Sequence, residues 1–118
     1  MIEYADLLGN NYTTYGNCYG LIEECCRRAG TPIDNPFKQL QSLPVGAEVD
    51  YIKGINARRI PTPKAGTIAE CKTGENLHVA YMLTDTLALH TTLRHGTRVT
   101  HINILNPIAF YEVQKNEN

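Results

Sequence analysis

The feature that most limits what this chain can fold into is a change of pattern along its length. One amphipathic helix stands out before Gly30, and from Gly66 onward the chain breaks into short runs of β-formers separated by turn residues. In the helix, Cys18, Leu21, Ile22, Cys25 and Ala29 recur at helical spacing and make one apolar stripe. Asn17 is a good N-cap residue just before it, and Gly30 is a natural C-terminal stop. Glu23 with Arg27, and Glu24 with Arg28, are i,i+4 pairs on the opposite side. Residues 2–8 predict a short helix ending at Gly9, and residues 9–17 read as a loop. Prolines punctuate 31–65, where short helices near 36–43 and 47–56 are expected. The predicted strands are 67–71, 78–83, 87–93, 98–104 and 109–113, with turn signals between them. Helix first and strands second predicts an α+β fold, with N-terminal helices packed on an antiparallel sheet of about five strands.

A length of 118 residues fits a single domain over 1–118. With 42% apolar and 19% charged residues, disorder is excluded as the general state. The net charge of −1 and the lack of a basic run argue against nucleic acid and membrane surfaces as partners. No apolar stretch approaches the ~20 residues that span a bilayer. Residues 1–6 lack a basic region followed by an apolar core, so no secretion signal is read and synthesis in the cytoplasm is expected. The cysteines are Cys18, Cys25, Cys26 and Cys71, with no Cys-x-x-Cys pair. That spacing suggests neither a zinc ribbon nor a disulfide scaffold. A metal site from Cys25, Cys26, Cys71 and a histidine is disfavoured, because adjacent helical residues point in different directions; no metal and no cofactor is expected.

Three residues are suited to chemistry. Cys18 falls at the predicted start of the helix, where the partial positive charge favours a thiolate and free amides can hold an oxyanion. The plain alternative is a buried structural cysteine. His78 opens a predicted strand, and a cysteine nucleophile needs such a base close by. The expectation is that strand 78–83 lies against the helix and brings the two together. His90 sits on the next strand across a short turn near residues 84–86. The even separation between the two histidines allows their side chains to share a face, so that one ring orients the other. Taken singly, a histidine among apolar neighbours such as His78 is more often a satisfied core residue than a catalyst, and His90 alone reads as a half-exposed strand residue. His95 and His101 are read as surface or strand residues.

At these residues the chain resembles the NlpC/p60 cysteine peptidases, which cleave bacterial cell-wall peptides. The family's Asp-Cys-Ser-Gly-Leu/Phe-Val motif is similar to Asn17-Cys18-Tyr19-Gly20-Leu21-Ile22. Its His-Val-Gly-Ile-Tyr strand is similar to His78-Val79-Ala80-Tyr81, and its apolar pair before His-Ala/Thr to Ala88-Leu89-His90-Thr91. Tyr12-Thr13-Thr14-Tyr15-Gly16, Pro63-Lys64-Ala65-Gly66-Thr67 and Phe110-Tyr111-Glu112-Val113 resemble weaker family features. The resemblance implies a papain-like core with Cys18 as nucleophile, His78 as base and His90 as orienter. It implies that Tyr12 offers its hydroxyl near the oxyanion or substrate, and that Asn17 and Tyr19 line the substrate groove. Asn17, Tyr19 and Thr67 stand where the family has Asp, Ser and Asp. The substrate implied is a peptidoglycan stem peptide. The bulky residue after Cys18 resembles phage-tail versions of the family, which implies phage tail proteins as further partners and a virion tail or the cell wall as the place of action. Three other readings stand beside this one. They are a related amidase group with Glu or Asn in place of the second histidine, a tail-assembly component with an idle site, and an acyltransferase or protease acting on a protein.

Overall fold

The computed structural model describes residues 1–33, 43–44, 57–73 and 76–114. Its α-helix among these, α1, is Cys18–Arg28. The start is fixed by Asn17, whose side-chain oxygen accepts from the backbone N–H groups of Tyr19 (3.0 Å) and Gly20 (3.1 Å). Such a cap contributes about 1 kcal/mol. The end is closed by Gly30 at φ +82°, with the Thr31 N–H on the Cys26 carbonyl and the Gly30 N–H on the Arg27 carbonyl. Arg28 pairs with Glu24 as its spacing predicts, but Arg27 also turns to Glu24, three residues away. Arg28 reaches Asp6 as well, tying the helix end to the N-terminal segment.

That segment is a single 3-10 turn, Ala5–Leu7, rather than the helix predicted over 2–8. Two leucines and one isoleucine are too few to pay for a second packed helix, and only Leu7 of the turn is buried. The loop after it presses on the helix at Gly20, where any Cβ would overlap the Tyr15 carbonyl oxygen.

The strands are β1 (Leu43–Pro44), β2 (Ala57–Ile60), β3 (Ile68–Thr73), β4 (Asn76–Met82), β5 (Leu87–Thr92), β6 (Gly96–His101) and β7 (Pro107–Val113). Six of them form one antiparallel sheet in the order β2-β7-β3-β4-β5-β6, and β1 pairs with β4 off that path. The fold is therefore α+β. The expected strand 98–104 stops at His101, whose Nδ1 accepts from the Asn103 N–H (3.2 Å) and opens a 3-10 turn, Ile102–Leu105. β2 was hidden in the proline-rich stretch because Arg58 and Arg59 are both exposed, which erases the alternation a half-buried strand would show. The helices expected near 36–43 and 47–56 fall outside the described residues, apart from Leu43, which pairs as part of β1.

Alternation along the strands divides the core in two. On one face Leu21, Ile22 and Cys25 of α1 pack with Ile68, Val79, Tyr81 and Leu89. On the other, Ala69, Cys71, Ala80, Met82, Ala88 and Ile102 form a smaller cluster closed by Phe110. Each large side chain fully buried here, such as Ile22 or Leu89, contributes about 1.5–3 kcal/mol.

One irregularity positions the site. β4 ladders with β5 only at Tyr81↔Leu89 and Met82↔Ala88. Toward its start it pairs with β1 instead, at Leu77 and Asn76. The β4 backbone around residues 78–80 is therefore free of β5, and the start of α1 approaches it there.

Candidate active site

Cys18 is the first residue of α1 and is buried, with 2% of its surface exposed. Its sulfur accepts from the Tyr12 hydroxyl at 4.0 Å and from the Val79 backbone N–H, the amide that the missing β5 ladder leaves available. The amides of Cys18 and Tyr19 at the helix start add to this group of donors. Burial is nevertheless the largest influence and raises the thiol above its ordinary value, against all four donors. Cys18 is thus a neutral thiol at neutral pH in this closed arrangement. Burial also raises the Tyr12 phenol, with Cys18 beside it adding to the effect, so Tyr12 keeps its proton and remains a donor.

The histidines meet as the even spacing predicts. The β4–β5 register sets them diagonally, and His78 Nε2 lies 3.1 Å from His90 Nδ1. Their rings pack edge to face, with centroids 5.2 Å apart. His90 Nε2 in turn lies 2.8 Å from Thr100 Oγ1 on β6. Burial pushes both imidazoles down to about 4, and Arg98 and the neighbouring ring add to the effect at His90. Both rings are therefore neutral at neutral pH. In that state the row has one useful order of protons. If His90 Nε2–H donates to Thr100, then His90 Nδ1 accepts from His78 Nε2–H, and His78 Nδ1 keeps a free lone pair. The reverse order would put a proton on His78 Nδ1 and leave that nitrogen no lone pair to accept with.

α1 does lie against β4, as expected. The approach of Cys18 to His78 is less direct. His78 shares its strand face with Ala80 and Met82, whereas α1 packs on the face of Val79 and Tyr81. The sulfur meets the amide of the residue after His78 and makes no hydrogen bond to the imidazole.

The expected groove residues divide. Tyr12 touches Cys18. Asn17 is 1% exposed and spends its carboxamide on the helix cap, and Tyr19 is 0% exposed. The expectation that Asn17 and Tyr19 line a substrate groove does not fit this burial. A capping side chain faces its own helix amides, and an aromatic one position into α1 is drawn into the core.

Sequence reasoning missed two participants. Thr100 was legible in principle, because a turn at His95-Gly96 sets it diagonal to His90. The Val79 amide was not, since nothing in the residue types announces that β5 leaves the ladder. His101 is exposed and serves the 3-10 turn, and His95 is exposed in the β5–β6 turn. Cys25, Cys26 and Cys71 are buried with raised thiols, the last two pushed up to about 12. Neither a known protein family nor a curated protein matches this chain.

Proposed function

We propose that this chain is a cysteine hydrolase of papain-like, NlpC/p60 type that cuts amide bonds in peptidoglycan stem peptides. The observation that carries the reading is the row His78–His90–Thr100, ending one residue from a thiol at a capped helix start. A structural histidine has no need of a second imidazole fixed on its Nε2. A general base does, because that bond sets the tautomer.

In the reaction, Tyr12 moves off the sulfur as substrate enters. His78 Nδ1 takes the thiol proton while Cys18 Sγ attacks the amide carbonyl. The oxyanion is held by the Cys18 N–H and the Tyr12 hydroxyl. The C–N bond then breaks, His78 returns the proton to the leaving amine, and a thioester remains. Water, deprotonated by His78, attacks the thioester; the C–S bond breaks and the proton goes back to the thiol. In this reading the protein acts at a cell wall, delivered by a phage or prophage tail.

A second reading has its own support. The burial of Cys18 and the missing Cys18–His78 hydrogen bond favour a tail-assembly component that keeps the fold with an idle site. Incubation with defined stem peptides, read by mass spectrometry with Cys18→Ala as control, separates the two. A product that depends on Cys18 is expected. A product that persists in the Cys18→Ala protein ends the proposal, and none from any of several peptide chemistries transfers the weight to assembly.

A further inference from the structure

A groove of 340 Å³ runs between the first loop and the β5–β6 turn, with Asn11, Tyr12 and Thr13 on one wall and Leu93, Arg94 and His95 on the other; Cys18 does not line it. Tyr12 belongs both to this groove and to the cover over Cys18. The walls are fixed to each other. The Gly9 N–H donates to the Thr97 carbonyl (2.9 Å), and the Thr97 N–H donates to the Asn10 carbonyl (2.8 Å). At Gly96 (φ +67°) a Cβ would lie 2.7 Å from the Asn10 oxygen, so the close approach needs glycine twice over.

The charge on this groove is one-sided. No Asp or Glu occurs between Thr86 and Tyr111, in a chain that is net negative. Arg94 and His95 are the ionisable side chains that face the groove besides Tyr12. Arg94 is exposed and forms no hydrogen bond or ion pair among the described residues. Arg27, Arg28, Arg58 and Lys64, in contrast, all meet carboxylates. An exposed planar guanidinium lining a groove, with no ion pair among the described residues, matches a carboxylate in two parallel bonds.

We infer that this groove is a specificity site for acidic peptides, in which Arg94, with His95 beside it, holds a substrate carboxylate while Tyr12 gives way to the chain leading to Cys18. The inference deepens the hydrolase reading and rests on it for the direction of the bound chain. The locally positive hairpin also steers anionic substrate toward the thiol in spite of the net charge.

The test measures binding, so it is independent of turnover. The Cys18→Ala protein is titrated with the stem tetrapeptide Ala-γ-D-Glu-Lys-D-Ala and with acetyl-Glu-Glu-Ala, each as free acid and as fully amidated form. Backbone amide signals of residues 9–13 and 93–96 report the site. At least one acid is expected to bind about 10-fold more tightly than its amide, mainly through a charge-assisted pair. Arg94→Gln should erase that preference and Arg94→Lys should restore part of it. The same preference should survive in Lys64→Gln, a cation that pairs with Glu112 on β7 and does not line the groove. Equal affinities for acid and amide, no saturable binding of either acid, or a preference that survives Arg94→Gln overturns the inference. Preference for the ordinary acidic peptide alone leaves the groove standing and sinks the cell-wall reading. Stem-peptide cleavage in the wild type, without any acid preference, does the reverse.

Discussion

The cysteine half of the site and the histidine half are built by different means. Cys18 is placed by neighbours in sequence: a cap at Asn17, a glycine at 20 that lets the loop close in, and a tyrosine six residues back. His78, His90 and Thr100 are placed by sheet register, each on a different strand. The halves also differ in charge logic. Burial drives the thiol and the imidazoles alike toward their neutral forms, yet only the thiol is ringed by donors that would hold its anion once formed. The lesson is that the resting site stores no ion pair. On the proposed hydrolase reading, it makes one only when substrate displaces Tyr12.

The largest effects are expected from substitutions at the centre of the site. Cys18→Ala should reduce stem-peptide hydrolysis by about 10⁴-fold or more with little change in the circular dichroism spectrum. His78→Ala should cost ~10²–10⁴-fold. His90→Ala should cost less than His78→Ala, and Thr100→Val less again, since each acts only through the ring before it. If Thr100→Val proved worse than His78→Ala, the row would not be ordered as described.

Alkylation sharpens the cysteine side. In the resting protein iodoacetamide should modify Cys18 slowly at pH 7, because the thiol is covered and its pKa is raised. Tyr12→Ala should speed modification at that residue, as mapped by mass spectrometry. Tyr12→Phe should not, because it keeps the cover and removes a donor to the thiolate. Fast labelling of the wild type would mean that the sulfur is not kept covered and protonated in solution.

The histidine side is sharpened by pH. Both imidazoles are pushed down to about 4 in the folded chain, against 6.5 for the free group. Between these values the unfolded chain binds more protons, so stability rises with pH there and is lost as pH falls from about 6.5 toward 4. Melting temperatures across that window should fall more steeply for the wild type than for His90→Gln. Parallel slopes would mean that His90 is not held neutral by the fold.

The smallest effect is at the cap. Asn17→Ala should lower stability by about 1 kcal/mol in urea titration, and Asn17→Asp should retain most of it. A loss several times larger would assign Asn17 a role beyond the two amides it serves.

How much of this was legible in the residues follows the same division. The helix, its cap and its glycine stop were readable because they are local, and so was the strand-rich second half. The meeting of His78 and His90 was readable from an even spacing across a short turn. The face was not. Parity along β4 puts His78 with Ala80 and Met82, and only the pairing of β4 with β1 instead of β5 explains how a helix on the opposite face reaches its neighbour. The burial of Tyr19 and Asn17 was equally hidden, because a motif position says which residue type is present and not which way it faces.

The tie between Gly9, Asn10 and Thr97 has a consequence for the order in which the chain acquires its parts. It joins the first loop to a strand from the last quarter of the sequence, and such distant contacts form late. The helix can form early from its own cap and stripe, whereas the loop bearing Tyr12 settles only after the β5–β6 hairpin exists to receive it. Cys18 is therefore set in its helix before its cover arrives, and the burial that hides it in the finished fold depends on contacts from the other end of the sequence.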